Sequence, residues 1–156
     1  MKLVVQRVSE AAVTVAGKCV GEIQRGMVVF VGVGQGDTES ICDRMIEKLI
    51  HLRIFADDDD KMNLSVIENG GALLLISQFT LYADCRKGRR PAFTSAAAPQ
   101  EAKELYEAFV QRCRDHGLPV ASGIFAADMQ VALVNDGPVT IILDSQELLR
   151  GDRADG

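Results

Sequence analysis

Three short segments of this chain bring together residue types that could do chemistry. The first is Ser77-Gln78-Phe79-Thr80-Leu81, which follows the apolar run Ala72 to Ile76 and so sets two hydroxyls and an amide where a strand should end. Strand ends are common places for sites. A hydroxyl nucleophile needs a base to take its proton, and neither of the two histidines, His51 and His116, lies near this segment in sequence. Backbone N–H groups at the bend offer another route, because an oxyanion site requires a shape and no special side chain. Taken alone, the segment reads most simply as a Ser/Thr-rich strand exit.

The second segment is Asn135-Asp136-Gly137-Pro138. X-Pro bonds are the usual place for a cis peptide, and glycine before proline removes Cβ crowding. The bare carbonyls of such a tip could accept hydrogen bonds from a ligand ammonium group, and a tight turn without a ligand accounts for the same residues. The third segment, Cys85 to Phe93, holds Arg86, Lys87, Arg89 and Arg90 in a chain whose net charge is −5. A local anion site suits it, and so does a solvated loop, with Phe93 free to stack or to pack. Asp57 to Asp60 lacks the spacing of a calcium loop and reads as solvated.

The elements that must position these segments can be read from periodicity. Residues 2 to 33 read as an antiparallel meander punctuated by Gly17, Gly21 and Gly26. Asp37 or Thr38 can cap a helix carrying Ile41, Met45, Leu49 and Leu52 on one stripe. Asn69-Gly70-Gly71 turns into the strand Ala72 to Ile76, and a long polar loop runs from about Asp84 to Ala98. Pro99 suits a first helical position, and Ala102, Leu105, Tyr106, Phe109 and Cys113 continue that helix until Gly117. Strands are expected at Ile124-Phe125, Met129 to Val134 and Val139 to Leu143, the last two joined as a hairpin through residues 135–138. Two principal helices among some eight strands, with no strand-helix alternation, indicate an α+β fold with a mainly antiparallel sheet.

The chain has 156 residues, 47% of them hydrophobic and 25% charged, which suits one domain able to bury its own core. Residues 1–146 are taken as that domain and residues 147–156 as a polar, flexible tail. The longest apolar runs, Met27 to Val31 and Ala72 to Ile76, are five residues each, far short of the ~18 of a membrane span. Gln6 and Arg7 interrupt any signal-peptide core, so a cytoplasmic location is expected. Cys19, Cys42, Cys85 and Cys113 form no close pair of the kind that builds zinc knuckles, and no metal site is assigned. A net charge of −5 argues against coating nucleic acid over the whole surface.

Read in order, six segments resemble the D-aminoacyl-tRNA deacylases, also called D-tyrosyl-tRNA deacylases. They are Gln6-Arg7-Val8, Lys61-Met62-Asn63-Leu64-Ser65, Ser77 to Leu81, Lys87-Gly88-Arg89-Arg90-Pro91, Gly123 to Met129, and Asn135 to Thr140. The likeness runs from Met1 to about Asp144. Asp60 stands where the family pattern leads one to expect glycine, and nothing after Asp144 carries a family motif.

The resemblance implies a barrel-like sheet and a homodimeric enzyme that hydrolyses the ester between a D-amino acid and the 3′-terminal adenosine of tRNA. Glycyl-tRNA is an implied second substrate, no cofactor is implied, and no DNA partner is expected. It further implies that Ser77, Gln78, Phe79 and Thr80 line the adenosine and ester site. Gly137 and Pro138 would form a cis dipeptide that enters the partner's pocket and meets the substrate ammonium, with Arg7 supporting the loop and Met129 at the substrate. Arg86, Lys87, Arg89 and Arg90 would contact tRNA phosphates. An aminoacyl ester is activated by its own ammonium group, and the neighbouring 2′-hydroxyl can help position water, so orientation and backbone donors near Phe79 and Thr80 would complete the catalyst. Thr80 as a covalent nucleophile is the rival mechanism. Two other classes stay open: a non-catalytic RNA-binding module, and a thiol hydrolase using Cys85.

Overall fold

Leu3 and Val5, then Val8, then Ala11 and Val13 are the buried residues of a single long strand, β1 (Lys2–Val15). The computed structural model, which describes residues 1–154, pairs this strand on both edges. One edge takes β3 (Gly26–Gly32) and then β2 (Lys18–Ile23), both antiparallel. The other takes β8 (Met129–Asp144) along its whole length. From β3 the sheet continues through β6 (Ala72–Ser77) to β7 (Val120–Ser122), and both of these pairings are parallel. The strands between them in sequence, β4 (Phe55–Ala56) and β5 (Met62–Leu64), form a small separate ribbon. The sheet curls until Gly21 of β2 lies against Ala121 and Ser122 of β7, giving a nearly closed barrel.

The sheet is therefore mixed, where a mainly antiparallel one was expected. A parallel pair needs a crossover, and the two principal helices supply these crossovers: α1 (Glu39–Ile50) lies between β3 and β6, and α2 (Pro99–Asp115) between β6 and β7. Thr38 caps α1, its hydroxyl accepting from the Ile41 N–H at 3.3 Å, and Pro99 opens α2. Each buries one stripe: Cys42, Met45, Ile46 and Leu49 on α1, and Leu105, Tyr106, Phe109 and Cys113 on α2. A third helix, α3 (Ser145–Ala154), takes up most of the segment expected to be a flexible tail, while residues 155–156 lie outside the described residues. No described helix is long and apolar enough to cross a membrane.

Two cores result. Leu3, Val5, Met27, Val29, Val31, Leu73 and Leu75 face the helices, whereas Val8, Ala11, Val13, Val28, Leu74 and Ile76 fill the barrel. Strands β3 and β6 contribute to both, which is why they read as unbroken apolar runs. The expected hairpin at residues 135–138 is absent. Instead β8 runs on past these residues, because Thr140 pairs with Gln6 and Asn135 with Val8, leaving four residues of β8 opposite Arg7 alone. The tip is a bulge in one ladder. Ile124-Phe125, expected as strand, lies in a turn after β7.

Strand β3 can approach β6 only because residue 26 has no side chain: a Cβ there would lie 1.9 Å from the Ala72 carbonyl oxygen. Gly26→Ala must part the strands shared by both cores and is expected to cost about 3 kcal/mol or more. Urea denaturation would register this as a lower midpoint, and an unchanged midpoint would show that the pair yields without cost.

Candidate active site

Strand β6 ends at Ser77, and the chain then makes one turn of 3-10 helix, Phe79–Tyr82. The Gln78 N–H still donates to Val31 O at 2.8 Å, so the parallel pairing with β3 carries on to the threshold of the turn. Within it Leu81 N–H reaches Gln78 O at 3.3 Å and Ala83 N–H reaches Thr80 O at 3.0 Å. The first N–H groups of such a turn have no carbonyl behind them. Those of Phe79 and Thr80 donate to no partner among the described residues, and both residues are exposed.

Beside this turn opens a cavity of about 560 Å³, of a size that holds a small ligand. One wall is Ile76, Ser77, Gln78 and Phe79; another is Phe93, Ala96 and Ala97; a third is the stretch Phe125 to Met129. Phe79, 56% exposed, meets Phe93 edge to face with ring centroids 4.9 Å apart. Tyr106 on α2 supports the far wall, donating from its hydroxyl to Leu75 O at 2.8 Å and lying 6.1 Å from the Phe125 ring. Burial keeps that phenol protonated by pushing its pKa up.

Among the described residues the one ionisable side chain lining the cavity is Asp128, a residue given no role from sequence. Phe125 and Ala102 were likewise unassigned, since nothing short of the fold brings a helix face and a post-strand turn to one opening. The Thr80 hydroxyl accepts from the Gln78 side-chain amide at 2.5 Å, and an amide is no base. Cys85 is exposed, outside the cavity, while Cys42 and Cys113 are buried and burial pushes each thiol up to about 12. Among the described residues no three His, Cys, Asp or Glu side chains are grouped to hold a metal.

Ser77, Gln78, Phe79 and Met129 thus share one cavity, with Thr80 on the adjoining turn; Gly137, Pro138 and Arg7 lie elsewhere, at the bulge in β8. The Gly137–Pro138 peptide is cis, and Gly137 has φ +131. Arg7 donates to Asp136 O at 3.1 Å and to Ile54 O at 2.6 Å, and Asn135 bonds Val139 N–H and the Thr140 hydroxyl across the base. Both Gly137 and Pro138 are exposed. The basic segment is a third feature: Asp84 and Ala92 pair as an antiparallel bridge, so residues 85–91 project as a small hairpin with Gly88 at φ +68. Arg86 is tied to Asp84 by two bonds of 2.8 and 2.7 Å, which hold that carboxyl down to about 2.

The sequence of residues 4–144 matches the family model described as D-Tyr-tRNA(Tyr) deacylase. This chain belongs to that family. A relative from Thermotoga petrophila named D-aminoacyl-tRNA deacylase is 59% identical over 148 residues, covering 95% of this chain and 99% of its own. Another of the same name, from Desulfotalea psychrophila, is 55% identical over 148 residues with the same coverage. Among solved structures, one titled c-Myc DNA Unwinding Element Binding Protein superposes with a TM-score of 0.87 at 39% identity, over 92% of this chain and 98% of that one. A probable eukaryotic D-amino acid tRNA deacylase shares the fold with a TM-score of 0.77 at 20% identity, over the same shares of the two chains.

The Thr80 hydroxyl bonds to an amide and to no base among the described residues, which makes a specific demand on mutants. Ser77→Ala and Thr80→Ala should each retain deacylation within about tenfold of the parent, since losing a true nucleophile costs several orders of magnitude. Single-turnover assays would decide, and a trapped acyl-Thr80 ester would refute the demand.

Proposed function

We propose that this protein hydrolyses the ester bond of D-aminoacyl-tRNA, releasing D-amino acid and tRNA, and that glycyl-tRNA is a second substrate. The observation that carries the reading is the pair of unpartnered N–H groups, Phe79 and Thr80, beside an apolar cavity in a member of this family. Hydrolysis of an ester builds negative charge on the carbonyl oxygen, and fixed N–H donors stabilise that charge without reorganising. The terminal adenine stacks in the aromatic part of the cavity, and the ester is presented to the turn. Water attacks, assisted by the ribose 2′-hydroxyl, because no side chain of Ser77-Gln78-Phe79-Thr80 is a base. Gln78 and Ser77 hold the ribose and the strand end. Met129 packs at the substrate.

The enzyme works as a homodimer in this reading, with Gly137 and Pro138 entering the partner's cavity. Exposed apolar side chains support it: Val134 and Ile142 flank the tip along β8 at 50% and 71% exposure, and isolated strands do not gain from such a display. Arg7 supports the tip from beneath. Bare carbonyls at the tip receive the substrate ammonium. With ester and ammonium held, an L side chain strikes the Gly-Pro wall, a D side chain points outward, and glycine offers nothing to reject. Excluding the wrong isomer ~10³-fold needs only about 4 kcal/mol, within reach of one clash in a rigid pocket. The projecting hairpin with Lys87, Arg89 and Arg90 contacts tRNA phosphates, and Arg86 does so less because Asp84 already neutralises it. Acting on tRNA places the enzyme in the cytoplasm.

The decisive experiment compares D- and L-tyrosyl-tRNA as substrates of the purified protein. Release of tyrosine from the D ester at least about 10³-fold faster is expected, and equal rates would end the chiral reading. Cross-subunit action has its own check, in which a cavity variant, Gln78→Ala/Phe79→Ala, is mixed with a tip variant, Gly137→Ala. A Cβ at residue 137 would lie 2.8 Å from Val139 Cγ2 and 3.0 Å from Arg7 Nη2, so the tip variant is displaced. One cavity in each mixed dimer keeps both parts, and activity should return. Heterodimers that stay inactive would mean that the tip serves its own chain.

A further inference from the structure

Two glycines at the exit of β3, Gly32 and Gly34, belong to no part of the site described above, yet two of the three walls of the cavity meet this short stretch. On one side Val33 O accepts from Ala97 N–H at 3.0 Å, Gln35 N–H donates to Ser95 O at 3.0 Å, and the Gln35 side chain reaches Thr94 O at 2.6 Å. These bonds hold the segment that carries Phe93, Ala96 and Ala97. On the other side lies the 3-10 turn. A Cβ on Gly32 would come within 3.0 Å of Leu81 Cβ and 3.1 Å of Gln78 O. A Cβ on Gly34 would come within 2.5 Å of both Cζ and Oη of Tyr82.

Tyr82 is the last residue of the turn that begins at the cavity wall with Phe79 and whose first two N–H groups have no partner among the described residues. Its ring rests on the bare Cα of Gly34, and the Lys2 ammonium stands over the ring 4.9 Å from its centroid. Gly34 is itself fixed, since its N–H donates to Asp37 Oδ2 at 2.7 Å. A one-turn helix has few internal bonds and takes its orientation from whatever holds its end. We propose that Tyr82 is a positioning residue: pinned between Gly34 and Lys2, it sets the height of the Phe79–Tyr82 turn and thereby the aim of the Phe79 and Thr80 N–H groups. This rests on the reading of those two groups as the oxyanion donors.

The mechanism is steric, so ring contact matters and the hydroxyl does not. Misaiming a donor by about an ångström can lower a rate up to ~10²-fold while leaving ground-state binding alone. Tyr82→Leu should therefore lower the single-turnover rate on D-tyrosyl-tRNA about tenfold or more, with the affinity for uncharged tRNA held within about twofold; Tyr82→Phe should match the parent. Gly34→Ala should be as damaging as Tyr82→Leu, but adding Tyr82→Leu to it should cost nothing further, because the clash and the seat are the same contact. Should Gly34→Ala fail to fold, Lys2→Met, which frees the other face of the ring, gives the same pattern at smaller amplitude. Backbone amide shifts of Phe79 and Thr80 provide a readout independent of turnover: they should move in Tyr82→Leu and stay in Tyr82→Phe. Unmoved amides in Tyr82→Leu, or a rate within twofold of the parent despite a lower melting temperature, would overturn the proposal. Amides that move in Tyr82→Leu while the parent hydrolyses no D-aminoacyl-tRNA would instead uphold the seat and remove the reading of the reaction.

Discussion

Strands β3 and β6 run parallel and carry apolar side chains on both faces, so each is held between the helix-covered core and the barrel core at once. That double burial fixes where the two strands must stop, because polar backbone beyond them needs other partners. Gly32 and Ser77 are their last residues, and two of the three walls of the cavity are suspended from those two ends. The 3-10 turn leaves from one; the stretch that ties down residues 93–97 leaves from the other. The cavity is thus a consequence of two strand ends that diverge from a common buried wall, with α2 supplying Ala102 and Tyr106 behind it.

The long ribbon of β1 and β8 answers a different geometrical problem, which is how one pair of strands can serve both cores. Leu3 and Val5 face the helices, whereas Ala11 and Val13 face the barrel, although all four have the same parity. On β8, Leu143 packs toward the helices and Leu133 toward the barrel, again at the same parity. Both strands therefore roll over, β8 in the four residues opposite Arg7 and β1 between Val8 and Ala11, and the ladder shifts register at both places. Arg7 stands at the crossing and spends its guanidinium on the carbonyls of Ile54 and Asp136.

Much of this was legible in the residues. Helices α1 and α2 announced themselves by apolar spacing, with Thr38 and Pro99 at their starts, and the site segment was found from polar residues set at the end of an apolar run. Parallel pairing was not legible, because an apolar run such as Ala72 to Ile76 looks the same whichever way its neighbour runs. The bulge was misread as a hairpin for a related reason: Asn-Asp-Gly-Pro has the composition of a turn, and only the shared partner β1 reveals that the strand continues. Residue 60 shows the converse. Asp60 has φ +59, a conformation in which glycine is the easy choice, so the departure from the expected glycine is a local compromise that leaves the turn intact.

The bulge also decouples chain length from fold. On either side of Asp136–Val139 the ladder is held by its own pairings with β1, Thr140 to Gln6 and Asn135 to Val8, so a residue gained or lost between them displaces neither half. Loop lengthening at such a point carries only a small entropic penalty. Drift in the number of residues there is therefore almost invisible to folding, and any constancy in that number among descendants of this sequence would be a record of selection on what the tip touches.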